Sequence, residues 1–298
     1  MKIVQLSAIP VFFLIVQLHA QPYNVQVDTG ENAPYLIGKI NKEGLSQANY
    51  SEWFLKNERD YLPQSEIIAQ LKNKLPEHTI KLFMGTWCGD SKREVPSFYK
   101  ILNEIQFPLE RLTNIAVDLK PEMYKQSPGG EQEGLNIHRV PTFIFYKNGK
   151  EINRIVERPV QSLEEDMLAI LNENYSPNYS AVNEIDKALH EMGVEKFQIK
   201  SKQRISEWKK AISSFYELNT FSYVLLTSGK KQEAVAVATL NTELYPEDAK
   251  AYKALGNRLR ACDRNKEALA QYELSLKLNP DDDELKSMLR ALQEDPTD

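Results

Sequence analysis

The pattern of apolar and polar positions divides the chain into two parts of different kind. In the first part, up to about residue 172, short apolar runs rich in β-branched and aromatic residues alternate with segments of helical pattern. Three runs have the length and composition of buried strands: Ile80–Met84, Leu112–Leu119 and Phe143–Tyr146. After the last run, the turn Asn148-Gly149 and the segment Glu151–Val156 predict a β-hairpin. A helix is expected over Ser162–Leu171.

The second part has a helical pattern that repeats. Over Ala181–Leu218, apolar residues recur at helical spacing. Beyond it, matching segments lie 34 residues apart: Lys231–Ala234 with Asn265–Ala268, and Pro246 with Pro280. This period is typical of tetratricopeptide helix pairs, which residues 215–292 resemble, although Ser222 stands where the earlier repeat should have a small glycine. The segment Leu225–Lys230 is also similar to helical C-terminal modules of exported enzymes of the Bacteroidetes type.

One cysteine lies where the first apolar run meets the next helical segment. Cys88 follows Trp87, and Ser91 stands three positions further on. A strand that turns through Gly85 and Gly89 into a helix places Cys88 at the helix N-terminus. Unpaired backbone N–H groups and the helix dipole favour a thiolate there. The sequence therefore predicts an attacking sulfur without a neighbouring thiol.

The order of these elements resembles the thioredoxin family over residues 63–175. Val140, Pro141 and Thr142 look like the cis-proline loop of that family, which packs against the active-site cysteine. The resemblance implies an α/β domain with a central mixed sheet flanked by helices, followed here by the all-α tetratricopeptide-repeat domain. It also implies that Cys88 is the catalytic nucleophile and that the Val140 backbone holds an extended substrate. Protein or small-thiol disulfides would be the substrates.

Two positions depart from the family pattern. Ser91 replaces the second cysteine, and Leu82 replaces a buried carboxylate that handles the resolving proton. Ser91 either donates a hydrogen bond to the Cys88 thiolate or serves only as a residue of the first helical turn. Trp87 is expected to pack beside the site and to dock the substrate. His138 either approaches the site or is a surface histidine without a role.

The first 20 residues have the pattern of a secretory signal peptide. Lys2 precedes the apolar stretch Ile3–Leu18, and Ala20 offers a small residue at the cleavage point. The stretch is short for a membrane-spanning helix and contains polar breaks. We therefore expect a periplasmic or secreted protein without a membrane span once the signal is removed.

These segments set the expected domain boundaries. They are a signal peptide (1–20), an N-terminal extension with a helix (21–62), the thioredoxin-like domain (63–175), a linker and helical lead-in (176–214), the tetratricopeptide-repeat region (215–292) and a tail (293–298). The repeats either bind a peptide partner or only stabilise and space the chain.

Composition narrows the chemistry. The chain has 298 residues, a net charge of −5 and no basic run, which argues against a nucleic-acid partner. The two cysteines, Cys88 and Cys262, are too few for a disulfide-stapled fold. Neither a zinc-ligand spacing nor a glycine-rich phosphate loop is present, so no metal or cofactor is expected. Cys262 is expected to be a buried, inert thiol, the alternative being a resolving thiol for Cys88.

The sequence thus predicts thiol–disulfide exchange on exported clients through Cys88, by an isomerase-like or monothiol oxidoreductase mechanism. The alternative is a non-catalytic protein that binds clients with a thioredoxin fold and helical repeats. The reactivity of Cys88 distinguishes the two hypotheses.

Overall fold

A computed structural model of the chain describes residues 22–30 and 32–294. The predicted signal peptide, residues 1–20, lies outside the described residues, as do residues 295–298 of the predicted tail. Within the described ranges, no helix combines the length and the hydropathy that crossing a membrane requires.

In the described part of the chain, six strands form one mixed sheet in the order β1-β2-β4-β3-β5-β6. They are β1 (Val25–Thr29), β2 (Asn32–Ile40), β3 (Thr79–Met84), β4 (Leu112–Ala116), β5 (Thr142–Lys147) and β6 (Lys150–Val156). β3 and β4 are parallel, and the other neighbours are antiparallel. Asn148 and Gly149 both have positive φ, 52° and 77°, as a type I′ hairpin turn requires.

Helices cover one face of this sheet. They are α1 (Lys42–Leu45), α2 (Ala48–Asp60), α3 (Ser65–Lys74), α4 (Gly89–Glu104) and α5 (Leu163–Leu171). Phe54 of α2, Phe98 of α4 and Met167 of α5 share a buried cluster with Leu82 and Phe143 of the sheet. Removing these large side chains from water is the main stabilising contribution of this core.

The opposite face is covered by the connection between β4 and β5, residues 117–141. Phe83 of β3 and Ile115 of β4 point to this side and pack against Ile137 and Val140 of the connection. Because successive side chains of a strand point to opposite faces, β3 contributes to both cores. The connection that seals the second core therefore leads directly to Pro141. The predicted α/β thioredoxin-like domain is confirmed.

The segment 21–62 contributes to the sheet as well as a helix. Its pattern predicts the helix, α2, but not the strands β1 and β2. β2 pairs antiparallel with β4, placing Gly38 opposite Ala116. Pro34 and Gly38 weaken the local strand signal within β2. Pairing with a partner about 75 residues away along the chain supplies what the local pattern lacks.

The second part of the chain is an array of helices. They are α6 (Ser180–Ser201), α7 (Ile205–Ala211), α8 (Phe215–Thr227), α9 (Lys231–Leu244), α10 (Ala249–Arg260), α11 (Asn265–Leu278) and α12 (Asp283–Glu294). α8 and α10 begin 34 residues apart, and so do α9 and α11. A Cβ on Gly256 of α10 would lie 2.4 Å from the ring of Tyr272 on α11, so the absent side chain permits the close approach. The all-α character predicted for this part is confirmed.

Helix α8 packs on the connection 117–141. The Tyr223 hydroxyl donates to the carbonyl oxygen of Pro121 at 3.0 Å. The Thr227 hydroxyl donates to the carbonyl oxygen of Tyr124 at 3.3 Å. The helical part is therefore in direct contact with the segment that leads to Pro141.

Candidate active site

Cys88 is the N-cap residue of α4. Its backbone is extended, with φ −87° and ψ 128°, and its carbonyl oxygen accepts a hydrogen bond from the N–H of Lys92 at 3.0 Å. The turn into the helix is closed by the Cys88 N–H, which donates to the Gly85 carbonyl oxygen at 2.9 Å. The half-buried sulfur thus lies at a helix N-terminus, where partial positive charge stabilises an anion.

The loop before β5 faces this sulfur. The Val140–Pro141 peptide bond is cis. The Cys88 thiol donates to the carbonyl oxygen of Val140 at 3.3 Å. Thr142 begins β5, and its hydroxyl donates to the carbonyl oxygen of Arg139 at 2.8 Å, which ties the loop across the proline. The structure therefore places the Cys88 sulfur against the loop of Val140, Pro141 and Thr142, three of the four residues expected to bind the substrate.

Trp87 lies beside the cysteine with a fixed ring. Its indole N–H donates to the carbonyl oxygen of Val117 at 3.0 Å. A Cβ on Gly85 would lie 2.5 Å from the ring, so glycine makes room for the indole. The ring of Tyr124, in the connection, lies 6.1 Å away, centroid to centroid. Trp87 thus joins the cysteine turn to the connection.

Ser91 has a structural contact. Its side chain is fully buried, and its hydroxyl accepts a hydrogen bond from the Gly85 N–H at 3.2 Å. This bond holds the first turn of α4 against the end of β3. The Cys88 thiol donates its hydrogen bond to the Val140 carbonyl oxygen instead. Both roles predicted for Ser91 stay predictions, because a hydroxyl that accepts this bond can still donate its own hydrogen.

Lys125 is the site residue that sequence reasoning misses. It is only 4% exposed, and it adopts a left-handed backbone conformation with φ 60°. Its Nζ donates to the hydroxyl of Tyr124 and lies 5.9 Å from the centroid of the Trp87 ring. The ion pairs between described residues include none at Lys125. In the sequence it is one lysine in an irregular polar loop, which gives no signal of burial.

The charge state of Lys125 is set by its burial. Burial, aided by the positive charge of Arg139, lowers the pKa of the Lys125 amine to about 7, while Cys88 and Glu157 act in the opposite direction. An amine with this pKa exchanges its proton near neutral pH. A titratable base therefore interacts electrostatically with Cys88, in a site where Leu82 supplies no carboxylate.

The structure places His138 in neither of the two environments that the sequence suggests, the active site or the surface. It is 1% exposed, and its ring packs edge-on against Tyr179 and Phe221, each 5.9 Å away. Burial lowers the pKa of this imidazole to about 3, so it is neutral at physiological pH. The residue holds the loop before Val140 against the helical part of the chain.

Cys262 lies at the turn between α10 and α11. Its sulfur is half-buried and lies 3.7 Å from the carbonyl oxygen of Lys231. Burial raises the pKa of the Cys262 thiol, which lowers its thiolate fraction at neutral pH. Over residues 22–30 and 32–294, no group of three or more His, Cys, Asp or Glu side chains is arranged to hold a metal ion.

The fold and this geometry define a thioredoxin-like domain with one cysteine at the N-terminus of α4. The chain is 29% identical over 80 residues to the thioredoxin Asp f 29 of Aspergillus fumigatus, a match that covers 27% of this chain and 66% of that protein. It is 28% identical over 95 residues to Thioredoxin-1 of Schizosaccharomyces pombe, covering 30% of this chain and 77% of that one. The chain thus spans just under two thirds of the length of the first of these relatives. No family model matches the chain.

Proposed function

We propose that the protein exchanges disulfides through Cys88 as a single-thiol enzyme. The observation that carries this proposal is the position of the sulfur, at the N-terminus of α4 and 3.3 Å from the Val140 carbonyl oxygen. A helix N-terminus stabilises a thiolate, and a thiolate is the nucleophile of disulfide exchange. The similarity to two thioredoxins supports a thiol–disulfide function in general.

The exchange step uses the groups around the sulfur. The Cys88 sulfur attacks one sulfur of a substrate disulfide; a new S–S bond forms, the substrate S–S bond breaks, and the other substrate sulfur leaves as a thiolate. The proton of the Cys88 thiol passes to the neutral amine of Lys125, and the resulting ammonium supplies a proton to the leaving thiolate. An amine whose pKa is about 7 does both at neutral pH.

The loop before β5 presents the substrate. In this proposal an extended peptide lies along Val140, with Pro141, Thr142 and the Trp87 ring at its sides. Main-chain pairing of this kind tolerates many sequences, because it uses groups that every residue carries. The site therefore suits polypeptide disulfides.

Release from the mixed disulfide requires a second thiol from outside the site. Ser91 offers only a hydroxyl, and that hydroxyl is bonded to the Gly85 N–H. A second cysteine of the client or a small thiol must attack the mixed disulfide. This requirement favours isomerisation over net reduction.

We further propose that the chain is exported, on the pattern of residues 1–20, and that its helical part is a tetratricopeptide array, on the 34-residue period of its helices.

Alkylation kinetics test the proposal. At pH 7 Cys88 should react with iodoacetamide at least about tenfold faster than Cys262, because the pKa of the Cys262 thiol is raised by burial. Peptide mapping assigns each rate, and the variants Cys88→Ser and Cys262→Ser verify the assignment. Reactivation of scrambled ribonuclease should be lost in Cys88→Ser and kept in Cys262→Ser. If Cys88 reacts like an ordinary free thiol and reactivation persists without it, the non-catalytic client-binding alternative is favoured.

A further inference from the structure

A cleft lies where α8 and α10 meet the connection 117–141. Its volume is about 640 Å³. The lining residues that matter for its chemistry are Tyr124, Asn219, Tyr223, Lys250, Lys253 and Arg258. Three of them are cationic, and no described residue that lines the cleft is an Asp or Glu. The cleft is therefore basic in a chain whose net charge is −5.

Two of the three cations already have partners. Lys253 forms ion pairs with Asp282 at 2.9 Å and with Glu284 at 2.8 Å. Lys250 is exposed, and its Nζ donates to the hydroxyl of Tyr216 at 3.1 Å. These contacts leave Lys250 with its full positive charge at the mouth of the cleft.

Arg258 is different, because it is buried without a counter-ion. It is 6% exposed, and its guanidinium donates to the backbone and side-chain oxygens of Asn219, both at 3.2 Å. Its Nε has no hydrogen-bond partner, and no ion pair joins Arg258 to another described residue. Burial lowers the pKa of Arg258 to about 10, still far above neutrality. A buried charge without an opposite charge is unfavourable, and an incoming anion removes that penalty.

The chemistry of the guanidinium indicates which anion fits. A planar guanidinium binds a carboxylate through two parallel N–H···O bonds. In the cleft its central carbon lies 4.9 Å from the centroid of the Tyr223 ring, a cation–π contact. The neighbouring amide of Asn257 and the amine of Lys250 add polar groups to the same lining.

Aromatic rings connect this cleft to the cysteine. The Tyr124 ring contacts both the ring of Trp87, at 6.1 Å, and the ring of Tyr223, at 5.4 Å. With the 4.9 Å step to Arg258, the guanidinium is at most about 16 Å from the Trp87 ring, a distance that about five extended residues span. A peptide held along Val140 can therefore reach Arg258 with a neighbouring part of the same chain.

We propose that this cleft binds a carboxylate side chain of the disulfide substrate, so that the preferred clients carry Asp or Glu within about five residues of the reactive cysteine. The link to the cysteine rests on the function proposed above, whereas carboxylate binding itself does not.

The binding test uses the full chain and two fluorescent peptides without cysteine. One is a 12-residue peptide with three Glu residues at one end, and the other has Gln at the same positions. By fluorescence anisotropy the Glu peptide should bind at least about tenfold more tightly, and the difference should shrink with added salt. Arg258→Gln should abolish the preference, while Arg260→Gln, an exposed arginine of the same helix outside the cleft lining, should keep it.

A second variant protects the test against misfolding. Lys250 is exposed, so Lys250→Gln should leave the circular dichroism spectrum unchanged and reduce the preference about threefold. Equal binding of the two peptides by wild type would overturn the proposal. A preference that both cleft variants retain would overturn it as well.

The same peptides with a disulfide separate this inference from the proposed function. If Cys88 exchanges Glu and Gln disulfide peptides at equal rates, and neither binds preferentially, the cleft proposal is wrong and the exchange function stands. If the Glu peptide binds preferentially but no exchange occurs with either peptide, the exchange function is wrong and the cleft stands.

Discussion

Acid should destabilise this protein through one buried histidine. His138 is enclosed by Tyr179 and Phe221, and its Nδ1 lies 3.2 Å from the carbonyl oxygen of Asn136. Its Nε2 is buried and has no partner among the described residues. Burial lowers the pKa of the imidazole from 6.5 to about 3, and the cations Arg139, Arg154 and Lys125 act in the same direction.

The direction in which pH changes the free energy of unfolding follows from the protonation of His138 in the folded and unfolded chains. In the unfolded chain His138 gains a proton below pH 6.5, whereas in the folded protein it stays neutral down to about pH 3. The unfolded state therefore binds more protons in this window, and the free energy of unfolding falls as the pH falls through it. Each pH unit corresponds to about 1.4 kcal/mol, so at pH 5 this group alone lowers the free energy of unfolding by about 2 kcal/mol.

Urea unfolding at pH 7.5 and pH 5.0, followed by circular dichroism, measures the effect. Between the two pH values, wild type should lose about 2 kcal/mol more than His138→Phe, because the buried carboxyl groups that also titrate are common to both proteins. His190→Gln removes an exposed histidine and should behave like wild type. If wild type and His138→Phe lose the same free energy, His138 is protonated in the folded state and the reasoning is refuted.

Substitutions at three further positions test the site and the helical part. Lys125→Met should slow alkylation of Cys88 at pH 7 by about tenfold, because the amine that accepts the thiol proton is lost. Lys125→Arg should slow it as well, because a guanidinium stays protonated and cannot accept that proton; equal rates in all three proteins would contradict the proposed role. Ser91→Cys should increase insulin reduction with dithiothreitol by at least about tenfold, since a thiol one helical turn away can resolve the mixed disulfide. If the wild-type protein already reduces insulin efficiently, an external thiol is sufficient to resolve that disulfide. Gly256→Ala should lower the free energy of unfolding by about 1–3 kcal/mol in urea titrations, because its Cβ would lie 2.4 Å from the buried Tyr272 ring; an unchanged midpoint would mean that the ring can shift.

The parts of this fold that are predictable from sequence are those with local signals. The junction of β3, Cys88 and α4 follows from an apolar run, two glycines and a helical pattern. The hairpin follows from Asn148-Gly149, whose positive φ values only a few residue types adopt easily. The helix pairs follow from a 34-residue period that the observed helix starts reproduce. In each case neighbouring residues carry the information.

The remaining features depend on partners that are distant in sequence. β2 joins the sheet by pairing with β4, although Pro34 and Gly38 weaken its local pattern. Lys125 has the local sequence of a surface loop, yet it is buried, and its amine lies 5.9 Å from the centroid of the Trp87 ring, 38 residues earlier in the chain. No periodicity in the connection 117–141 indicates that a helix a hundred residues later will cover it.

The burial of the connection 117–141 depends in part on contacts with the helical part of the chain. Helix α8 contacts the connection through Tyr223 and Thr227, and Phe221 of the same helix packs against His138. The connection in turn carries Lys125, whose pKa near 7 exists because the amine is buried. The helical part thus packs directly on the segment that carries Lys125 and leads to the Val140 loop.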